Sequence, residues 1–177
     1  STQNDISCNG ASDGSIDLTI SGGTTPYIYS WSTGDITEDL TSVSAGTYTV
    51  TITDNNLCDI NATFLITQPL QLNTSVSITN IDCFGADNGS VDLTVSGGTP
   101  NYNYSWDHGV TTQDINNLSS GNYSVIVTDA NSCTDTVYAE ITRPNQISII
   151  GVVTNSDCNG EDLCSIDISV SGGVGGY

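Results

Sequence analysis

The chain has 177 residues, a formal net charge of −19, one arginine (Arg143), no lysine and one histidine (His108). A field of this sign repels nucleic-acid phosphates and anionic lipid headgroups, so we expect neither nucleic-acid binding nor membrane-surface binding. No run of about 18 apolar residues is present, so insertion into a membrane is not expected.

The sequence repeats itself with one fixed spacing. Cys8, Cys83 and Cys158 are each 75 residues apart, and Cys58 and Cys133 have the same separation. This period predicts a first module at residues 1–69, a complete second module at 70–144, and the truncated start of a third at 145–177. Tandem arrays of this kind serve length and valency more often than catalysis.

Apolar and polar residues alternate along the first module, a pattern typical of half-buried strands. Strands are predicted at 16–21, 27–31, 47–53 and 62–67. No segment has helical periodicity. The turns between these segments contain Gly22, Gly23 and Pro26, which favour tight reversals of the chain.

The second module predicts a longer series of strands. Strand A is expected at 70–78, B at 90–96, C at 101–106, a weak C′ or D strand next, E through Leu118, F at 122–127 and G at 135–142. Seven or so short strands per period indicate an all-β fold of tandem immunoglobulin-like antiparallel sandwiches. Four aromatic residues are expected in the cores, and two of them resemble a tyrosine corner: Trp31, Trp106, Tyr48 and Tyr123.

Six cysteines at repeating positions indicate an oxidising, extracellular location. In an immunoglobulin-like sandwich Cys8 and Cys83 lie in A–B turns, whereas Cys58 and Cys133 lie in F–G turns at the opposite end, about 23 Å away along strand B. This distance exceeds the reach of a disulfide, which favours a bond between modules, Cys8 with Cys133. Pairing within modules, Cys8 with Cys58 and Cys83 with Cys133, stays open, as do free thiols and a local link from Cys158 to Cys164.

No pair of carboxylates or histidine arrangement marks a catalytic site, so we expect no enzyme and no cofactor other than calcium. Asp17 and Asp92 on strand B, and Asp54 and Asp129 at the start of the F–G turn, recur between copies and are the candidate calcium ligands. The alternative for the second pair is a local cap, because an Asp followed closely by Asn at a turn commonly binds backbone N–H groups.

Several motifs of the second module together resemble the SprB repeat. They are Cys83-Phe84-Gly85, Asn88-Gly89-Ser90, 96–100 (SGGTP), 102–106 (YNYSW), Gly121-Asn122-Tyr123 and 128–133 (TDANSC). The resemblance implies a large surface adhesin of gliding Bacteroidota or a related protein, export by type IX secretion and no catalytic residues. Cys164 departs from the pattern, because it stands where the other copies have Gly14 and Gly89. Asp135-Thr136-Val137 resembles the short O-glycosylation motif of Bacteroidota, with Thr136 as the acceptor.

These features predict a structural or adhesive segment of a long secreted cell-surface protein, acting as the rigid stalk of a gliding or adhesion filament. Its expected partners are neighbouring modules of the same chain, with surface polysaccharide or like filament chains in addition. Two alternatives stay open, a subunit of a self-assembling extracellular filament and a glycan-binding accessory region of a polysaccharide-degrading enzyme. Exposed aromatics for glycan binding would come from four tyrosines: Tyr27, Tyr29, Tyr102 and Tyr104.

Overall fold

A computed structural model describes residues 1–155 and 165–175 of the chain. These residues form β-strands joined by turns, and none of them is helical. The described part accordingly contains no helix with the length and apolarity needed to cross a membrane. The prediction of an all-β fold is confirmed.

The first module folds as two three-stranded antiparallel sheets. Its strands are β1 (Thr2–Asn4), β2 (Gly14–Asp17), β3 (Ile28–Trp31), β4 (Leu40–Val43), β5 (Gly46–Thr53) and β6 (Asp59–Ile66). One sheet has the order β1-β2-β4 and the other β3-β5-β6. With the strands given their immunoglobulin letters, and D absent, these are an A-B-E sheet and a C-F-G sheet, which is the immunoglobulin arrangement that the sequence predicts.

The core of the first module lies between these two sheets. Alternation along β5 places Val50 and Ile52 inward, and their threonine neighbours face outward. Trp31, at the end of β3, is also buried in this cluster. The remaining buried members come from both sheets, from the turn before β2 and from the residue that follows β2: Ile6, Ile16, Leu18, Leu40, Val43 and Ile66.

The second module repeats the same strand order. Its strands are β7 (Asn73–Thr79), β8 (Gly89–Ser96), β9 (Asn103–Trp106), β10 (Ile115–Leu118), β11 (Gly121–Thr128) and β12 (Thr134–Ile141). They form sheets of order β10-β8-β7 and β12-β11-β9. Val91, Leu93 and Trp106 are buried, as are their counterparts one period earlier.

Each module has six strands rather than the seven or so predicted, because no C′ or D strand forms. In the first module residues 32–39 form turns whose polar groups bond locally. The indole N–H of Trp31 donates to the carbonyl of Thr37 (2.9 Å), and a carboxylate oxygen of Asp39 accepts the N–H of Leu18 (2.8 Å). These side-chain hydrogen bonds pair polar groups of the connection without the backbone ladder of a further strand.

Strand B is also shorter in the first module than predicted. Prediction placed it at 16–21, whereas β2 ends at Asp17; the equivalent β8 continues to Ser96. The neighbouring strand β1 pairs Thr2 with Asp17, and its ladder ends there. A strand persists only as far as its partner supplies hydrogen bonds, so the length of β1 limits β2.

The two tyrosines predicted for the core are half-buried. Tyr48 donates its hydroxyl hydrogen to the carbonyl of Ser44 (2.8 Å), and Tyr123 does the same to Ser119 (2.9 Å). Each bond closes the turn that precedes strand F, four residues upstream. This is the tyrosine corner that the sequence resembles, with the ring at the edge of the core rather than inside it.

The beginning of the third copy is a hairpin. It consists of β13 (Asn145–Thr154) and β14 (Ser165–Gly173), paired antiparallel from Asn145 opposite Gly173 to Thr154 opposite Ser165. These strands correspond to A and B of the other modules. Nearly all of their side chains are exposed.

By spatial contacts the chain divides into two compact units. The first unit contains Ser1–Thr74 together with two loops of the second module, Val95–Asn103 and Val127–Asp135. The second contains Ser75–Thr94, Tyr104–Ile126 and Thr136–Tyr177. The module boundaries after residues 69 and 144 derive from the sequence period and stay a prediction.

Candidate functional site

The F–G turn of the second module is built around one carboxylate. Asp129, which directly follows β11, accepts the N–H of Thr99 on one oxygen (2.8 Å) and those of Asn131 (2.9 Å) and Cys133 (2.8 Å) on the other. Ser132 has a positive φ of 68°, which turns the chain back towards β12. The carboxylate therefore fixes the backbone of the turn as far as Cys133 and joins it to the loop at Thr99.

The same turn recurs in the first module. Asp54 accepts the N–H groups of Thr24 (3.0 Å), Asn56 (2.8 Å) and Cys58 (2.9 Å). Leu57 has a φ of 66° at the position of Ser132. Both aspartates therefore form the local cap that the sequence predicts as the alternative to calcium binding.

These hydrogen bonds hold both carboxyls in the ionised form. The backbone N–H of Cys58, followed by that of Thr24, lowers the pKa of Asp54. Burial raises the pKa of Asp129, but the N–H groups of Thr99, Cys133 and Asn131 outweigh it and leave that pKa below its ordinary value. A carboxylate that accepts several backbone N–H bonds is stabilised in its charged state.

The structure brings Cys8 and Cys133 together as a disulfide. Their Cα atoms are 5.7 Å apart although 125 residues separate them in sequence. Both cysteines belong to the first compact unit. The bond therefore joins the A–B turn of the first module to the F–G turn of the second.

Hydrogen bonds shape both sides of this disulfide. The side-chain amide of Asn131 donates to the carbonyl of Ser7 (2.9 Å), next to Cys8. On the other side, the N–H of Ser7 donates to Asp13 (3.1 Å), and the N–H of Ala11 donates to the carbonyl of Cys8 (3.0 Å). The two turns are thus each closed locally and are then joined by the disulfide and by the hydrogen bond from the Asn131 amide to Ser7.

The start of strand A lies against the same end of the second module. The N–H of Gly98 donates to the carbonyl of Leu70 (2.9 Å). Gly97 has a φ of 70°, and a Cβ placed on it would be 1.8 Å from the carbonyl oxygen of Gln71. Leu72 is buried beside this loop, and Asp135 accepts two hydrogen bonds from Thr74 (2.8 and 2.7 Å). Close backbone contact therefore holds the connection between modules, and only glycine fits at position 97.

The other cysteines are placed differently. Cys58 and Cys83 are free thiols and are exposed. The structure does not bring Cys8 to Cys58, nor Cys83 to Cys133, because Cys8 and Cys133 are bonded to each other. Cys158 and Cys164 lie outside the described residues, so the local link between them stays a prediction.

The candidate calcium ligands do not come together. Asp17 and Asp92 are exposed on β2 and β8, while Asp54 and Asp129 are buried and bonded to backbone N–H groups. Among residues 1–155 and 165–175 no three His, Cys, Asp or Glu side chains are grouped so as to hold a metal ion. The two buried carboxylates, Asp54 and Asp129, already accept three backbone N–H groups each.

Thr136, the predicted O-glycosylation acceptor, lies exposed on β12.

The tyrosines considered for glycan binding are all half-buried, and two of them donate their hydroxyl hydrogens to glycine carbonyls. Tyr27 donates to the carbonyl of Gly22, and Tyr102 donates to that of Gly97 (2.6 Å). Their first role is therefore to brace the glycine loop between strands B and C.

Sequence reasoning missed two contributors to the junction, the side chain of Asn131 and the glycine at 97. Both had a signal in the sequence. Asn56 and Asn131 recur two residues after the capping aspartates, and Gly22 and Gly97 recur after strand B. The recurrence marks a shared local role, but it does not reveal that Asn131 also contacts the first module or that Gly97 lies against the backbone of Gln71.

A comparison with known families supports the resemblance noted in the sequence. The sequence model of the SprB repeat matches residues 1–36 and 75–111, in register with the 75-residue period. The two matches are consistent with a protein of the SprB repeat family. No curated protein matches it.

The SprB repeat is a structural repeat rather than an enzyme family, and the proteins that contain it are secreted or displayed at the cell surface. The Cys8–Cys133 disulfide fits an extracellular location, since disulfides persist in oxidising compartments. The two matched segments cover strands A to C of each module. They contain Cys8 and Cys83, whereas Cys133 lies beyond them. This chain is therefore a repeat region of the type found in surface adhesins.

Proposed function

We propose that this SprB repeat segment is a load-bearing part of a long secreted cell-surface protein, the rigid stalk of a gliding or adhesion filament exported by type IX secretion. The observation that carries the proposal is the disulfide from Cys8 to Cys133. No catalytic residue and no cofactor is needed for this role. Its first partners are neighbouring modules, and surface polysaccharide or like filament chains are the further ones.

The Cys8–Cys133 disulfide sets the path that tension follows along the chain. A pull on the two ends enters at Cys8, crosses the disulfide and leaves at Cys133, so the residues between them carry none of it. A separation of 125 residues corresponds to about 430 Å of extended backbone that cannot be drawn out. The strands between the two cysteines are protected without having to resist the force themselves.

Short connections support the same role. Pro69 is followed directly by Leu70, and no glycine–serine spacer separates the modules. Hydrogen bonds from Asn131 to Ser7 and from Gly98 to Leu70 limit bending at this point in the first compact unit. Flexible linkers lack such bonds and are rich in glycine and serine.

Single-molecule stretching of the full chain tests the proposal. We expect the oxidised wild-type chain to reach a fully extended length about 430 Å shorter than that of the double variant Cys8→Ser/Cys133→Ser. The matched control is Cys58→Ser, which removes an exposed thiol and should leave the length at the wild-type value. Equal lengths for the wild type and the double variant would contradict the proposal.

A further inference from the structure

The second compact unit contains a cleft that resembles the disulfide junction but holds a free thiol. We call it the Cys83 cleft; it has a volume of about 420 Å³. Its walls are the A–B turn of the second module and the two ends of the third-copy hairpin. The residues on which the argument depends are Cys83, Phe84, Gln146, Ile147 and Val174.

These walls match, one period later, part of the junction at Cys8. Leu72 lines the cleft beside the Cys8–Cys133 disulfide and is 7% exposed, whereas its counterpart Ile147 is 55% exposed. In the first unit the F–G turn that carries Cys133 also lines this cleft. The exposed Ile147 and the free thiol of Cys83 therefore mark the place that such a turn occupies in the first unit.

The backbone of the cleft already has the junction geometry. A Cβ placed on Gly172 would be 1.9 Å from the carbonyl oxygen of Gln146, as one on Gly97 would be 1.8 Å from that of Gln71. Both glycines have positive φ, 84° and 70°. The glycine loop and the start of strand A thus contact each other identically with and without an F–G turn beside them.

The third-copy hairpin presents an apolar face that fits the same occupant. Ile166 and Ile168 on β14 are 70% and 60% exposed. Their counterparts in the second module, Val91 and Leu93, are buried in its core. In the first module the equivalent strand β2 belongs to the sheet opposite the one that contains the F–G hairpin. A hairpin of strands F and G would therefore cover this face.

We propose that the Cys83 cleft and the β13–β14 hairpin bind the F–G hairpin of a SprB repeat and form a disulfide to its turn cysteine. The step joins Cys83 Sγ to the incoming Sγ, and a disulfide oxidant of the glutathione class takes up the two electrons and is released as two thiols. The inference rests on the proposed function, because it extends the disulfide between modules seen at Cys8 to the next position of an array.

Charge at the cleft suits this partner. The chain's one basic side chain, Arg143, lies over the ring of Phe84, with Cζ 4.8 Å from the ring centroid. The first module has Gln68 and Asn9 at these positions, where Asn9 donates to Pro69 (3.0 Å) and Gln68 accepts from Gly10 (2.8 Å). A guanidinium beside the cleft favours an acidic turn, and the F–G turns of this chain each contain two aspartates within a few residues.

A peptide that copies residues 121–141 is the probe. It contains β11, the turn with Cys133, and β12 as far as Ile141. The full chain is used with Cys158→Ser and Cys164→Ser, so that Cys58 and Cys83 are its free thiols. Both are equilibrated in a glutathione redox buffer, and peptide mapping by mass spectrometry measures the mixed disulfides formed at each cysteine.

The ratio of peptide attached at Cys83 to that attached at Cys58 is divided by the same ratio for glutathione, which corrects for thiol reactivity. We expect a corrected ratio of about tenfold or more, which corresponds to about 1.4 kcal/mol of docking free energy. A corrected ratio near one would overturn the proposal. The stretching experiment examines Cys8 and Cys133 alone, so either result can fail while the other holds.

Matched variants test whether the cleft causes the preference. Ile147→Asp should abolish it, while Ile36→Asp, at an exposed isoleucine of the first module, should preserve it. In the peptide, Asn131→Ala should reduce the ratio severalfold, because Asn131 donates to the residue before the partner cysteine in the first unit. Asn122→Ala is its control. A preference that survives Ile147→Asp, or that falls equally with Ile36→Asp, would contradict docking in the cleft.

Discussion

The two F–G turns of this chain have the same local structure and different surroundings. Asp54 and Asp129 each accept three backbone N–H bonds from equivalent residues. Only the second turn is bonded to another module, through Cys133 and Asn131. Since the free turn already has the geometry of the bonded one, each module preorganises its cysteine, and the junction adds contacts without reshaping the turn.

The largest expected difference between the two modules concerns their glycine loops, which contain Gly22 and Gly97. Gly22→Ala should cost about 1–2 kcal/mol, because Gly22 has a φ of 85° but open space around it. Gly97→Ala should cost on the order of 4 kcal/mol or more, since its Cβ would collide with the backbone of Gln71. Urea unfolding of the full chain measures both. Similar losses for the two variants would show that the close contact with Gln71 adds nothing to the cost of substitution at Gly97.

Removal of the capping carboxylate should have the next largest effect. We expect Asp129→Ala to cost on the order of 3 kcal/mol, because it leaves three backbone N–H groups without their acceptor. The control is Asp92→Ala, an exposed aspartate on β8, which should change stability by less than about 0.5 kcal/mol. Thermal unfolding compares them, and a mild effect of Asp129→Ala would indicate that the turn is held by other contacts.

The two turn asparagines separate the local role from the junction role. Asn56 donates to the hydroxyl of Thr24 and Asn131 to that of Thr99, each at 3.0 Å, but only Asn131 also donates to Ser7. Asn131→Ala should therefore destabilise the chain by about 1 kcal/mol more than Asn56→Ala. Differential scanning calorimetry of both variants provides the comparison. If Asn56→Ala proves equally costly, the bond to Ser7 contributes nothing measurable.

Acid should affect the two turns alike, which is the smallest expected difference. The pKa values of Asp54 and Asp129 are both lowered in the folded chain. Stability from each is therefore fully present above the unfolded pKa, about 3.9, and is lost as the pH falls through the lower folded value. Carboxyl ¹³C chemical shifts followed between pH 5 and 2 should give both groups midpoints below 3.9. A midpoint above that value for either one would contradict the cap.

Much of the fold was predictable because strands, turns and the repeat are local properties of the sequence. Alternation along 47–53 predicted β5, and the recurrence of Trp31 and Trp106 predicted two equivalent cores. Strand ends were less predictable, as β2 shows, because a ladder ends where its neighbour ends. The capping role of Asp54 and Asp129 was one of two alternatives, since the same oxygens suit calcium and backbone N–H groups.

The β-class of the modules, their period and the recurrence of each cysteine follow from local sequence patterns alone. The sequence also indicated that two cysteines of one module would be too far apart to bond, because strand B separates the ends of a sandwich. The contact of Gly97 with Gln71, the bond from Asn131 to Ser7 and the free Cys83 beside an exposed Ile147 are visible only in the folded chain. Asn131 and Ser7 belong to different modules, as do Cys83 and Ile147, and a periodic sequence assigns the same residue types to each module, whether or not a neighbour lies against it.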